Sequence, residues 1–454
     1  MRGAFNTTPP MTAARAQEIA ASFDLRALPP DFYANPYPVY DLLRSTEPVK
    51  HMPDGSYFLT CYADLVAVYR DALTFSSDKK VEFAPKYNKD GKDSPLFEHH
   101  TSSLVFNDPP LHTRVRKLIM GALTRRAIAD MENGLVALVD RLLDDMEVKG
   151  GGDLITDYAS AIPVEIIGNL LGVPHADRAP LRGWSLAILG ALEPALTPQQ
   201  QALGNRGVTE FCGYLKELVA ERRKHPGDPE HDVLTRLIQG DAASRRSAMG
   251  PGRATGGKVA GSDPGDGQLS EAELLQNCIF ILNAGHETTT NLIGNALVTL
   301  QEWPWARSEL LTQTQRLAND APALEAFMAT AVDEFLRFES SNQLGNRRAL
   351  KATRIGGVAL PAGALVTLCI GAANRDPAQF DSPNRLDIHR PENRHLAFGL
   401  GIHQCAGLSL ARLEGRIAIA RFLARFPDYR LTAPPVRGGR ARFRGFLEAA
   451  CKIK

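Results

Sequence analysis

The stretch from Glu271 to about Trp303 reads as one uninterrupted helix. Ser270 and Glu273 form a capping box at its start. Pro304 is a natural stop. At about 1.5 Å per residue such a helix is near 50 Å long, enough to cross a whole domain. It is apolar on most sides, which makes it a central, buried helix.

The rest of the chain follows the same pattern. Apolar residues recur at three- and four-residue spacing over 63–71, 111–131, 135–146, 164–171, 208–224, 323–338 and 408–426, so these segments are predicted helices. Strands are few: one over 57–60, and a pair over 355–360 and 364–368 that flanks Pro361-Ala362-Gly363 as a hairpin. The expected fold class is mainly α with a small β-rich part (α+β).

A length of 454 residues by itself suggests two or three domains. Segment 241–268 is rich in Gly and poor in apolar side chains, and reads as a flexible surface loop or, alternatively, a linker. The motifs on its two sides serve one site, which favours the loop. Residues 1–34 read as a partly disordered extension, within which Met11 is an alternative start. No apolar run approaches the roughly 18 residues that span a bilayer, and no signal peptide is visible. A formal net charge of +1 gives nucleic acid no electrostatic hold. The six cysteines are scattered, which suggests reduced thiols in a cytoplasm.

Inside the long helix, Ala284-Gly285-His286-Glu287-Thr288-Thr289 is a weak spot. Gly costs a helix roughly 1 kcal/mol and Thr is a poor helix former. Either small residues admit a neighbouring helix, or the stretch opens a groove for a small ligand. Taken alone, packing is the better reading. A second feature reverses that order. Phe398-Gly399-Leu400-Gly401-Ile402-His403-Gln404-Cys405-Ala406-Gly407 is a glycine-punctuated loop with one cysteine, and a helical pattern starts directly after it. Backbone N–H groups at a helix start favour a thiolate. Gly399 and Gly401 let the chain lie against a flat ring, and Phe398 can shield the sulfur. A buried core cysteine is the plain alternative. A zinc site is weaker still, since no second Cys/His pair stands at a suitable spacing.

The pattern Phe-Gly-x-Gly-x-His-x-Cys-x-Gly resembles the haem-binding loop of the cytochrome P-450 family, without a gap. The resemblance runs from about Asn35 to the C-terminus and implies one domain over 35–454, with the long helix above the haem. It implies haem b (iron protoporphyrin IX) ligated by Cys405, and a haem-thiolate monooxygenase acting on a small to medium organic substrate. Glu287 and Thr288 match the family's acid–alcohol pair for oxygen activation, and Ala284 and Gly285 the room above the iron. His112, Arg116, Arg347 and His403 match the propionate partners. Phe280, Asn283, Asn342 and Gln343 fall where the family lines its substrate pocket, and 79–106 where it has a lid, with Phe83, Tyr87 and Phe97 facing the pocket. Three amides there suggest a polar group on the substrate, although bonds to neighbouring backbone explain them equally well. Glu334-x-x-Arg337 resembles the family's structural pair, with Arg385 as the expected third member. Departures are Ser340-Ser341-Asn342-Gln343 in place of a proline, and Leu386 in place of Phe. No flavin or iron–sulfur domain follows Lys454, so electrons are expected from a separate ferredoxin or flavodoxin with an NAD(P)H-dependent reductase. Arg116, Lys117, Arg125, Arg126 and Arg412 are the expected docking cations, and a monomer is the expected state. A peroxide-driven peroxygenase and a non-catalytic haem sensor are the rival readings.

Overall fold

The structure is a computed structural model that describes residues 11–87, 94–229, 232–240 and 268–453. The predicted long helix forms over Glu271–Glu302. Ser270 Oγ accepts from the Glu273 N–H at 3.2 Å and Glu273 returns a bond to the Ser270 N–H at 2.8 Å, so the capping box closes as read. Every residue from Thr289 to Leu300 is buried. The helix is the axis of one apolar core that also takes in helices Ala161–Leu171, Pro198–Lys224, Ala321–Phe338 and Leu408–Arg425. Helix 161–171 falls in a window, Leu154–Leu171, apolar enough by length and composition to cross a membrane, but most of that window is packed inside the protein.

The expected helix 111–131 is in fact two. Leu111–Ala122 ends at Leu123, and Arg125–Lys149 begins with Thr124 as its N-cap, its Oγ1 accepting from the Ala127 N–H at 3.1 Å. A capping hydroxyl outweighs continuous periodicity here. The gap expected between 131 and 135 is absent, and Gly134 is carried inside the second helix. The expected hairpin also moves. Thr353–Ile355 pairs with Val358–Leu360 across Gly356-Gly357, whose φ values of 53° and 81° suit a two-residue turn. Leu365–Cys369 pairs instead with Leu344–Ala349, antiparallel, and with Tyr57–Leu59, parallel. The resulting five-stranded sheet runs Val49–His51, Tyr57–Leu59, Leu365–Cys369, Leu344–Ala349, Phe75–Ser76.

Residues 11–34 are not a loose extension. Helix Ala13–Ala21 places Ala16, Ile19 and Ala20 on one face, and with Phe23 and Phe32 they bury against Tyr40 and Phe58. Residues 1–10 and segment 241–267 lie outside the described residues.

Glu334 and Arg337 are both fully buried. Arg337 donates to both Glu334 oxygens at 2.7 and 2.8 Å, and to the carbonyls of Asn374, Pro383 and Arg385. The third charged member is Arg390, not the expected Arg385: Arg390 Nε reaches Glu334 Oε2 at 3.0 Å. Arg385 contributes its backbone carbonyl, and its side chain lies over Trp305.

Candidate active site

Between its two ends, over 274–300, the central helix is buried except along one stripe. Phe280, Ile281, Gly285 and Thr288 are partly accessible and Ala284 is exposed, although their flanking neighbours are buried. Positions 280, 284 and 288 share a face at four-residue spacing. Thr288 Oγ1 donates to the Ala284 carbonyl at 2.6 Å, the back-bond expected of a Thr inside a helix. Gly285 is small for a packing reason too: a Cβ there would meet Ile167 Cδ1 at 2.5 Å. Both readings of the weak spot therefore hold, on different sides of the helix.

Glu287 sits beside this stripe but turns the other way. Its Oε1 accepts from Arg440 Nη1 at 2.6 Å, and its Oε2 is buried without a partner. Burial pushes its carboxyl up to about 7, against the pull of Arg440. Arg440 also donates to the Leu186 carbonyl at 3.0 Å. Next to it, Glu193 accepts from the N–H groups of Ala441 and Arg442 at 2.8 and 3.1 Å. One loop, 438–445, thus grips the acid, the helix Leu181–Gly190 and the turn after that helix. Arg440 was not identified from sequence. Its signal was four arginines within 437–444, a run that otherwise reads as a solvated face. His286 takes no part: its Nε2 lies 3.2 Å from Ser160 Oγ, and burial pushes it down to about 3.

The cysteine loop is set by two left-handed glycines, Gly399 at φ 62° and Gly401 at φ 74°. A Cβ on Gly401 would lie 2.2 Å from the Tyr69 carbonyl oxygen, so only glycine fits. The Cys405 N–H donates to the Phe398 carbonyl at 2.9 Å, closing the loop just before helix Leu408–Arg425. Burial pushes the Cys405 thiol up, while the Gly407 N–H, Arg116 and Arg412 pull it down. Helix 408–425 packs on the central helix, with Gly415 against Leu292.

A cluster of nitrogen donors converges beside the loop. The rings of His112 and His403 lie 4.1 Å apart. His403 Nε2 is buried without a partner, and the ring nitrogens of His112 have only a loose contact with the Ile402 backbone. Burial and the nearby cations Arg347, Arg116 and Lys79 push His403 down to about 2. Arg347 is buried over the Tyr69 ring. Lys79, absent from the expected set, joins through this field and is buried with Glu82 at 2.8 Å.

A haem asks three things of a protein: an axial ligand, cationic donors for two propionates, and an uncrowded face for oxygen. Unpartnered nitrogens on His112 and His403 beside Arg347 and Arg116 fit the second. Cys405 in its glycine loop fits the first, and the open stripe at Ala284 the third.

The expected pocket residues divide. Phe280 lies on the open stripe. Asn283 is buried, with its Nδ2 3.3 Å from His99 Nε2, and His99 Nδ1 in turn 3.0 Å from Gln276 Oε1. Gln343 is buried and donates to the Ser340 carbonyl at 2.7 Å. In these two amides the NH2 groups bond locally, while Asn283 Oδ1 and Gln343 Oε1 are buried without a partner. Asn342 stays half-buried, with its Oδ1 unpartnered. Phe83 and Tyr87 pack around the His100 ring at 5.6 and 5.4 Å instead of lining open space, and Phe97 is half-buried.

Known proteins share this sequence pattern and fold. The family model described as Cytochrome P450 matches residues 199–433. "Cytochrome P450 107B1" of Saccharopolyspora erythraea is 35% identical over 383 residues, 84% of each chain. "Vitamin D(3) 25-hydroxylase" of Pseudonocardia autotrophica is 36% identical over 404 residues, 88% of each. Among solved structures, P450BioI in complex with a hexadec-9Z-enoic acid-ligated acyl carrier protein superposes with a TM-score of 0.79, at 30% identity, over 93% of this chain and 99% of that one. The family brings thiolate-ligated haem b and a need for redox partners and small substrates. A fold shared along nearly its whole length, and identity above 30% across most of the chain, carry one conclusion: this chain belongs to the cytochrome P450 family and is a haem monooxygenase.

Proposed function

We propose that Cys405 is the thiolate ligand of haem b, that Thr288 and Glu287 manage protons and oxygen above it, and that the enzyme hydroxylates a small to medium, largely apolar organic molecule. The observation that carries this reading is the single accessible stripe on an otherwise buried helix, with Glu287 adjacent to it. When bound, the haem supplies dioxygen binding and activation. The protein's part is positional. Ala284 leaves space, and Thr288, its proton committed to the Ala284 carbonyl, offers oxygen lone pairs toward the open side. Glu287, poised near neutrality, can take a proton from one side and release it on the other. Arg440 holds one of its oxygens and leaves the other free. Peroxide chemistry would leave this acid and its arginine without a task.

Arg440→Leu tests the acid. Removing the cation that favours the carboxylate raises the Glu287 pKa further above about 7. The ionisation seen in the pH profile of substrate-coupled NADPH consumption is expected near pH 7 in the parent and at higher pH in Arg440→Leu. It should be absent in Glu287→Gln. A profile identical in all three would remove Glu287 from proton delivery.

For the substrate, Asn342 is the amide best placed to meet a polar group, since it is only half-buried and its Oδ1 has no partner. The names of relatives, a vitamin D(3) hydroxylase and a P450 bound to a fatty-acyl carrier protein, support a long apolar substrate with few polar points. A ferredoxin or flavodoxin with its NAD(P)H-dependent reductase is the proposed electron source. Arg125 and Arg126 are exposed at the start of helix 125–149, whereas Arg412 is engaged with Asp333 at 2.7 Å. Reversing both charges, Arg125→Glu with Arg126→Glu, is expected to slow reduction by a surrogate ferredoxin and to flatten its salt dependence. Unchanged rates across ionic strength would move the docking face elsewhere.

A further inference from the structure

Beside the cysteine loop, Arg412 and His395 flank the Phe398 ring, and Asp333 faces both of them. Asp333, on the helix Ala321–Phe338, accepts from Arg412 Nε at 2.7 Å and from Arg412 Nη2 at 3.2 Å, a two-pronged pair. The Arg412 guanidinium lies 4.9 Å from the centre of the Phe398 ring. His395 flanks the same ring at 5.6 Å. His395 Nδ1 accepts from the Ala397 N–H at 3.2 Å, so the ring proton stands on Nε2. That Nε2 faces Asp333 Oδ1 at 3.4 Å. Phe398 in turn receives the Cys405 N–H on its carbonyl. Burial works against an ionised Asp333, but His395 and Arg412 hold its carboxyl below the usual range.

The charges do not balance as they would on a surface. Arg412 lies over the ring of Phe398, whose carbonyl accepts the Cys405 N–H, so its charge stands close to the sulfur. Asp333 is therefore the group that decides how much of the Arg412 charge the sulfur feels. In a partly buried setting the field of one charge reaches several ångströms with little screening.

We infer that Asp333 is a positioning residue for the cofactor: by clamping Arg412 against Phe398, with His395 on the other side of its carboxylate, it offsets the Arg412 charge, keeps the Cys405 thiolate strongly donating, and so holds the haem reduction potential down. The inference rests on Cys405 being the ligand. Its logic is one of sign. Removing a negative charge near the iron stabilises the reduced centre and raises the potential. Removing a positive charge does the reverse.

The test is a redox titration of haem-loaded protein without substrate, with the reduced CO spectrum recorded for each variant. Asp333→Asn is expected to shift the midpoint positive, and Arg412→Gln negative. The double variant should return close to the parent, and Asp333→Glu should stay near it. A purely structural role would move Asp333→Asn and Arg412→Gln in the same direction, or would weaken haem retention without separating their potentials. Either outcome overturns the inference, as does an unchanged potential in Asp333→Asn. If all variants and the parent lack the red-shifted Soret band of a thiolate ligand, it is the ligand assignment that fails. Should Asp333→Asn not fold, a negative shift in Arg412→Gln and a larger negative shift in Arg412→Glu, relative to the parent, still decide the sign.

Discussion

Cys405→Ser is expected to fold, to lose the red-shifted Soret band of the reduced CO complex, and to lose monooxygenase turnover. Serine is nearly the same size, and the Cys405 N–H keeps its bond to the Phe398 carbonyl, so the loop should close as before. The change in unfolding free energy should stay within about 1 kcal/mol for the apoprotein. The chemistry does not survive, because an alcohol stays protonated where a thiol ionises. The Gly407 N–H, Arg116 and Arg412 that favour a thiolate are too weak to ionise a serine hydroxyl. Retention of the band in Cys405→Ser would show that another residue ligates the iron.

Arg337→Ala should be the most destabilising single change in the chain. Glu334 lies fully buried, and its two oxygens collect donors from Arg337, Arg390, Asn393 and the Asp387 N–H. Truncating Arg337 strips two of those bonds. It also leaves the Asn374, Pro383 and Arg385 carbonyls without the donor they share. Breaking a buried pair of this kind costs about 3–5 kcal/mol, where an exposed pair costs less than about 1. Urea unfolding of the purified protein would report it, and Arg337→Lys should not restore it, since one ammonium has no fork to span Glu334. Arg385→Ala, by contrast, keeps its carbonyl in place and should cost little. Equal losses at 337 and 385 would restore Arg385 to the centre of the network.

The contrast shows what a sequence can and cannot carry. Helices were legible because periodicity is local: 271–302 could be bounded by its capping box and Pro304 before any packing was known. The break at Thr124 was legible in principle, since a threonine preceding a fresh periodic run is a cap signal. It was outvoted by the unbroken spacing around it. The expected hairpin moves because Gly356-Gly357 is a stronger two-residue turn than Pro361-Ala362-Gly363. At the site, Cys405 and the Glu287–Thr288 pair stood in dense local patterns. Arg440, Lys79 and the exchange of Arg385 for Arg390 did not, because each depends on chain segments 50 to more than 300 residues apart meeting in space. Asn283 and Gln343 show the same limit from the other side. Their positions pointed to a pocket, but an amide's partner is decided by which neighbour, His99 or the Ser340 carbonyl, folds up against it.

The five-stranded sheet joins strands at 49–51, 57–59 and 75–76 to strands at 344–349 and 365–369. Its middle strand, Leu365–Cys369, is the one on which Tyr57–Leu59 must wait. At a synthesis rate of about 5–20 residues per second, the ribosome needs roughly 15–60 s to bring that partner out after the early strands have emerged. For that interval strand 57–59 has only Val49–His51 beside it, and Phe75, buried in the finished protein, lacks its partner Ala349. The sheet therefore cannot close until residues 365–369 exist, however early its first strands are made.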